Sequence, residues 1–434
     1  MQTVGSQDRM DASGELEAIV LQRGRELVAA EPRRRPLRAI DDAVTRRISS
    51  RPAMRSAFYR MVDVAPVCSG PRELGAHFVA YLRGGRPPGA LGASVLGLAL
   101  AVANRIAGRR FIVASSPDRA MPYVRGLWSR GIGATLDLLG EAVVRAEEAD
   151  DYAGRCIDAL EVLGREAAAA GAPPAGDPPR ADLSVKPSAL TAEIRPWAPW
   201  SATEDAAMRL RAILRRARDV GAHVHIDMES LDSREATLAL AGSVLAEEEF
   251  RAGPSAGVVL QAYLRDAAEI AEQMLDLADR REAPLSIRLV KGAYWDHERI
   301  ESTEHGWPEP VFATRRATDR NFEALTRTLL DARPRIRIAI GSHNVRSIAH
   351  ALAYADGTAA GRDGLEFQVL RGLGDELAVA IHGCGARARV YTPVGDLIAG
   401  MAYLVRRLLE NTSNDSFLVA RGRTADLETL LERP

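Results

Sequence analysis

The stretch RLVKGAYWDHE, Arg288 to Glu298, is an apolar strand that stops at Lys-Gly and then delivers two aromatics and an acid. Its apolar character begins at Leu285, so LSIRLVKG reads as one strand of a series. From Arg110 onward, short apolar runs of this kind alternate with amphipathic helices. The runs are FIVA at Phe111, GATLDLLG at Gly133, LSVKP at Leu183, HVHIDME at His223, VVLQAYL at Val258, LSIRLVKG at Leu285, IRIAIGSHN at Ile336 and LEFQVL at Leu365. Eight strand candidates, most separated by a helix, predict an α/β fold: a closed parallel (β/α)8 barrel of the TIM type. Upstream, Glu15 to about Gly108 is helical in period, with breaks at EPRRRP (31–36) and GGRPPG (84–89). The expected organisation is an α-helical N-terminal arm over 1–109, the barrel over 110–420 and a C-terminal tail over 421–434.

A barrel of this type carries its chemistry at the carboxyl ends of its strands. The polar residues expected there are Glu141, Lys186, Asp227, Gln261, Lys291, His343 with Asn344, and Gln368. Seven of the eight strand candidates thus end in groups that hydrogen-bond or carry charge, which a purely structural barrel does not need. Further on, YLVRRLLEN (403–411) places Arg406, Arg407 and Glu410 at i, i+1 and i+4, so each guanidinium can lie near the glutamate. Adjacent guanidinia make a fork suited to a carboxylate. The bland alternative is a solvated pair on a surface helix; the flanking Leu404, Val405, Leu408 and Leu409 count against it without deciding it, and the family resemblance given below tips the balance. Bland alternatives hold elsewhere too: Lys186 can snorkel at a strand end, Glu141 and Asp227 can cap helices, and Trp295 can be core.

Composition excludes several classes. Lys plus Arg number 57 against 58 Asp plus Glu, a net charge of -1 that gives no reason to expect nucleic acid. Three distant cysteines, Cys68, Cys156 and Cys384, suit neither a disulfide framework nor a thiolate metal site and point to a reducing cytoplasm. The start has no secretory layout, and the most apolar run, residues 90–103, is only fourteen residues long, against roughly 20 needed to span a bilayer. His223, His225 and Asp227 alternate along one strand and suggest an H-x-H-x-D metal hydrolase. No further ligand cluster at other strand ends completes that shell, so no metal is expected.

Four motifs in order, RLVKGAYWD, SHN at 342–344, EFQVLRGLGDEL at 366–377 and YLVRRLLEN at 403–411, resemble the proline dehydrogenase half of the bacterial bifunctional flavoproteins of the proline utilization A family. The resemblance runs from about Phe111 to Phe417. It implies an FAD-dependent oxidoreductase that converts L-proline to 1-pyrroline-5-carboxylate by hydride transfer to flavin N5. Electrons then pass to a quinone, in the first step of proline catabolism to glutamate. It also places the last helix over the barrel mouth. With no Rossmann fingerprint present, FAD must be held by the barrel itself. The implied FAD contacts are Asp227, Gln261, Arg288, Val290, Lys291, Gly292, Ala293, Trp295, Ser342, His343, Asn344, Gln368 and Glu410.

By the same resemblance the substrate carboxylate meets Lys186, Arg406 and Arg407, while Tyr391, Leu289 and Leu370 contact the ring. Glu141 pairs with the arginines, and Asp227 lies near the flavin and Lys186. Tyr391 shields the ring where a hydroxyproline-oxidising relative has a smaller residue, so proline outranks hydroxyproline. Pro187, Arg371 and Met228-Glu229-Ser230 depart from the usual pattern without removing a residue of assigned role. Implied partners are a quinone, a peripheral contact with the inner face of the cell membrane, and a separate 1-pyrroline-5-carboxylate/glutamate semialdehyde dehydrogenase. The chain reads either as monofunctional or as a piece of a bifunctional protein. Competing classes are the metal hydrolase and a non-catalytic regulatory relative, which bound flavin would exclude.

Overall fold

The computed structural model describes residues 4–32, 110–140, 143–173, 177–193, 199–395 and 427–434, with Glu73, His77 and Ala80 as single positions between. Eight strands close a parallel barrel in sequence order, β1 pairing with both β2 and β8. In chain order the elements are α1 (Val4–Ala30), α2 (Pro117–Trp128), β1 (Gly133–Leu138), α3 (Ala146–Ala170), β2 (Asp182–Val185), α4 (Pro199–Asp219), β3 (His223–Ile226), α5 (Leu231–Val244), α6 (Glu248–Arg251) and β4 (Ser255–Gln261). They continue with α7 (Ala267–Asp279), β5 (Leu285–Val290), α8 (Trp295–His305), α9 (Arg315–Asp331), β6 (Ile336–Gly341), α10 (Val345–Asp356), β7 (Leu365–Leu370), α11 (Asp375–Gly383), β8 (Ala388–Val394) and α12 (Leu427–Leu430). The expected barrel is present.

One of its eight strands is not the one expected. FIVA forms no strand; Ala114 makes a single parallel bridge to Val394, and the Val113 amide donates to the Pro393 carbonyl at 2.9 Å. The missing strand is ARVYTPV, β8, which pairs with β1 over six residues. Its sequence hides it, because Arg389 and Pro393 interrupt the apolar run and proline removes a ladder donor.

Side-chain alternation sorts each strand into two faces. Leu285, Ile287 and Leu289 of β5 are fully buried in the apolar core, as are Ile336, Ile338 and Ile340 of β6 to within 1%. The alternating set is polar: Ser184, His223, His225, Arg288, Gln368, Arg389 and Tyr391, with Asp137 and Asp182. Barrel interiors are commonly filled by branched aliphatics. Here hydrogen bonds hold the interior together, so the strands stay apolar on the helix-facing side and polar within.

At the rim of the fold, α1 packs on α10 around Arg346. Its buried guanidinium donates to Glu323 at 2.8 Å, to Glu17 of α1 and to the Leu431 carbonyl at 2.7 Å. His350 lies one turn on, with Nδ1 3.5 Å from Glu323. Burial is the main cause that lowers its pKa to about 4, against the pull of Glu323. The unfolded chain binds this proton near pH 6.5. Stability from neutral His350 is therefore complete above pH 6.5 and is lost as pH falls toward 4, by about 3 kcal/mol in all. Equilibrium unfolding at pH 7 and pH 4.5 should show that loss, and His350→Gln should flatten it.

Candidate active site

The carboxyl ends of the strands gather most of the expected residues. Lys186 follows β2 directly, Asp227 follows β3, Gln261 closes β4 and Lys291 follows β5. Arg288 stands in the middle of them, 5% exposed. It donates from Nη1 to Asp227 Oδ1 at 2.7 Å, from Nε to Gln368 Oε1 at 2.6 Å and from Nη2 to Ser184 Oγ at 3.2 Å. The Tyr391 hydroxyl donates to the other Asp227 oxygen at 2.7 Å, and the Arg288 guanidinium lies 5.3 Å from the centre of the tyrosine ring. One carboxylate thus fixes both the cation and the phenol. Burial, with Asp137 and Asp227 nearby, pushes the Tyr391 pKa well above 10, so its hydroxyl stays a donor.

Lys186 is held by Asp137, an inward residue of β1 whose side chain is 1% exposed. Burial opposes the ammonium, but Asp137 and Asp227 outweigh it and raise its pKa above the ordinary lysine value. The Lys186 amide donates to the Tyr152 hydroxyl of α3 at 3.0 Å. Pro187, which follows, opens a short 3-10 turn whose Ser188 donates through N and Oγ to Glu229, at 3.0 and 2.8 Å. Gln261 in turn donates to the Glu229 carbonyl at 3.0 Å. Sequence reasoning missed Asp137, Tyr152 and Glu229 as partners. An acid at an inward position of GATLDLLG is the sequence signal for Asp137, whereas Glu141 lies beyond the strand.

The remaining expected contacts surround β5 to β7. Lys291 pairs with Asp319 of α9 and lies 5.8 Å from the centre of the Phe322 ring. Gly292 has φ +124°, and a Cβ there would lie 2.2 Å from the Tyr263 ring, so only glycine fits this turn. Ala293 is exposed and Val290 half-buried. The Trp295 indole donates to the Phe312 carbonyl at 2.8 Å, so its polar end serves the fold. Ser342 Oγ accepts the Asn344 amide at 3.1 Å, and Asn344 Oδ1 caps α10 by accepting Ser347 N at 3.0 Å. His343 Nε2 accepts the Leu370 amide at 2.8 Å, which puts the proton of the neutral ring on Nδ1.

Leu370 packs on Phe111, Ile112, Leu139 and Leu373. Leu289 alternates with Arg288 and Val290 and lies in the apolar core, on the opposite side of β5 from the Arg288 side chain. Glu141, Arg406, Arg407 and Glu410 lie outside the described residues.

The H-x-H-x-D arrangement is corrected as well. Asp227 is engaged by Arg288 and Tyr391, while His223 and His225 turn to Asp182 at the other end of the barrel. Burial first, then Arg288 and Arg389, holds both imidazoles well below their usual pKa.

The donor set suits a long anionic cofactor. Gln261, Arg288, Lys291, Ser342, His343 and Gln368 come from four consecutive strands, β4 to β7, which at roughly 4.8 Å per strand span an arc of about 15 Å. A buried guanidinium and an ammonium on that arc match a ring that gains negative charge on reduction and a diphosphate. Lys186, Asp137 and Tyr391 come from β2, β1 and β8, across the mouth.

The family model for proline dehydrogenase matches residues 120–420. The bifunctional protein PutA of Salmonella typhimurium is 31% identical over 332 residues, covering 75% of this chain and 24% of the relative. Proline dehydrogenase 1 of Bacillus subtilis is 28% identical over 321 residues, 74% of this chain and 92% of the relative. The crystal structure of proline utilization A from Bdellovibrio bacteriovorus inactivated by N-propargylglycine superposes with a TM-score of 0.88 at 32% identity, covering 96% of this chain and 44% of that one. The chain thus spans about a quarter of the length of the first of these relatives. With a closed eight-stranded barrel, a mouth built around Arg288 and Lys186, and a match over more than half its length, the chain belongs to the proline dehydrogenase family.

Proposed function

We propose that this chain is an FAD-dependent proline dehydrogenase that oxidises L-proline to 1-pyrroline-5-carboxylate. The observation that carries the reading is the buried Arg288, fixed from three sides on the strand RLVKG and facing the Lys186–Asp137 pair across the mouth. Bound FAD supplies the hydride acceptor. Lys186, with Arg406 and Arg407, holds the substrate carboxylate, and Asp137 offsets the lysine charge before substrate arrives. Tyr391 and Leu370 bound the ring, and Asp227 keeps the tyrosine hydroxyl from turning toward it. Holding donor carbon and acceptor in line supplies much of the rate. Arg288 stabilises the charge that gathers as the acceptor is reduced.

Electrons leave to a quinone, which requires peripheral contact with the cell membrane from the cytoplasmic side. No helix among the described residues is long and apolar enough to cross it. The product passes to a 1-pyrroline-5-carboxylate/glutamate semialdehyde dehydrogenase, whether on the same polypeptide or on a separate one; relatives named bifunctional support a second activity of this kind.

The test is to purify the protein, read its flavin absorbance and measure proline-dependent dye reduction. Arg406→Met or Arg407→Met should raise the proline KM roughly 10- to 100-fold with flavin retained, as expected when a charge-assisted contact worth about 1.5 to 3 kcal/mol is lost. Unchanged kinetics in both variants would remove the carboxylate fork, and a colourless protein that refuses added FAD would end the reading. For the ring, Tyr391→Ser should raise kcat/KM for 4-hydroxyproline relative to proline. A parent enzyme that already prefers hydroxyproline contradicts the assigned role of Tyr391.

A further inference from the structure

The end of the barrel opposite the proposed site holds a second polar cluster. Asp182 opens β2, His223 opens β3, and His225 follows two residues on, so all three side chains enter the interior at its N-terminal end. They are 1%, 3% and 1% exposed. One ligand atom from each lies within 4.8 Å of the other two. A cavity of about 20 Å³ borders all three, together with Ser255 and Glu366. That is room for a single ion or a single water.

The bonding of the cluster is incomplete. Asp182 Oδ2 lies 3.1 Å from Arg389 Nη1, but Oδ1 makes no hydrogen bond of acceptable geometry, and neither does His225 Nε2. Thr135 Oγ1, on β1, is buried within reach of the Asp182 carboxylate, although no hydrogen bond of good geometry joins them, so His225 Nε2 is the clearer orphan of the cluster. Buried polar atoms are rarely left this way, because each forfeits its hydration without replacement. The histidines are otherwise well held: His223 Nδ1 is 2.8 Å from Ser255 Oγ, and His223 Nε2 is 2.7 Å from His225 Nδ1. Arg389 does not neutralise the cluster on its own, since its Nε also binds Glu366 at 2.8 Å and two carboxylates share one guanidinium. Arg337 stands at the edge of the cavity.

From this geometry we propose that Asp182, His223 and His225 form a structural site for one divalent transition-metal ion at the barrel floor. Two imidazoles and a carboxylate fill three positions of a tetrahedral Zn²⁺ or Co²⁺ site and leave the fourth to a solvent molecule or to Glu366, which also borders the cavity. Bonds of about 2.0 to 2.1 Å in a tetrahedron put ligand atoms roughly 3.3 Å apart, so the cluster closes by ring rotation and small shifts. The ion joins β2 to β3 where the barrel carries stability rather than chemistry. It takes no part in proline oxidation, and the inference stands whether or not that reading holds.

The test uses the full chain, purified without a metal-affinity tag, stripped with chelator, reloaded with Zn²⁺ or Co²⁺ and desalted. Elemental analysis should find about one ion per chain, and the Co²⁺ protein should show the visible bands of a tetrahedral site. X-ray absorption of the Zn²⁺ protein should count two imidazoles and at least one carboxylate, and thermal unfolding should move up by several degrees. Asp182→Asn and His225→Gln should lose the ion while keeping flavin. Less than about a tenth of an ion per chain, with an unchanged melting point, would mean that the cavity holds only water. A stoichiometric ion with fewer than two imidazoles, or one retained in both variants, would equally overturn the site. Because the X-ray absorption count is made on the unmodified chain, variants that fail to fold do not weaken the test.

Discussion

Replacing Arg288 by Met should lower kcat/KM for proline by roughly 10² to 10³, the loss typical when one preorganised charge donor is removed from an active site. The side chain is 5% exposed and satisfies three partners from β3, β7 and β2 at once. Without it, Asp227 keeps, among the described residues, the Tyr391 hydroxyl and the more distant charge of Lys186, and a nearly buried carboxylate loses its directly paired guanidinium. Breaking such a pair costs about 3 to 5 kcal/mol of stability. The variant should therefore melt earlier, lose flavin more readily on gel filtration and, where flavin stays, show a lower reduction potential. Arg288→Lys should recover part of the potential, because charge returns, but not the full rate, because an ammonium cannot meet three partners in the planar fork. Should Arg288→Met keep the parent potential and rate, the flavin-facing role of this strand is wrong.

The second large effect belongs to Lys186. Lys186→Met strands Asp137, whose side chain is 1% exposed, so stability should again fall by about 3 to 5 kcal/mol. Proline KM should rise roughly 10- to 100-fold as one charge-assisted contact disappears. The two losses separate in a double variant. Adding Asp137→Asn removes the stranded charge and should restore most of the melting temperature, whereas proline binding should stay weak. If the double variant regains both, Lys186 is a structural residue and the carboxylate is held elsewhere. Recovery of neither would mean that Asp137 does more than balance the lysine.

Both experiments rest on the barrel interior, where sequence and structure parted company. Runs such as LSIRLV and IRIAIG announce parallel strands because each buries an apolar face against helices, and that pattern survives without knowledge of the neighbours. The apolar run FIVA resembles a strand for the same reason: four apolar residues describe burial, but not pairing. β8 escapes the same pattern because Arg389 belongs to a polar interior and Pro393 breaks the run, both of which look like interruptions when the strand is taken in isolation.

The sequence by itself determined the barrel; strand ends named Lys186, Asp227 and Gln368, the family resemblance added Arg288 and Tyr391, and the structure brings these side chains to the carboxyl ends of the strands. Only the tertiary structure decided which of them are partners. Asp137 reaches Lys186 across 49 residues, and Gln368 reaches Arg288 across 80. It also turned Leu289 outward, took Asp227 away from the histidines and gave them Asp182 instead. The physical reason is register. Local sequence sets which residues of a strand share a face, but which side chains come level inside a closed barrel depends on how neighbouring strands are staggered, and no single strand encodes that.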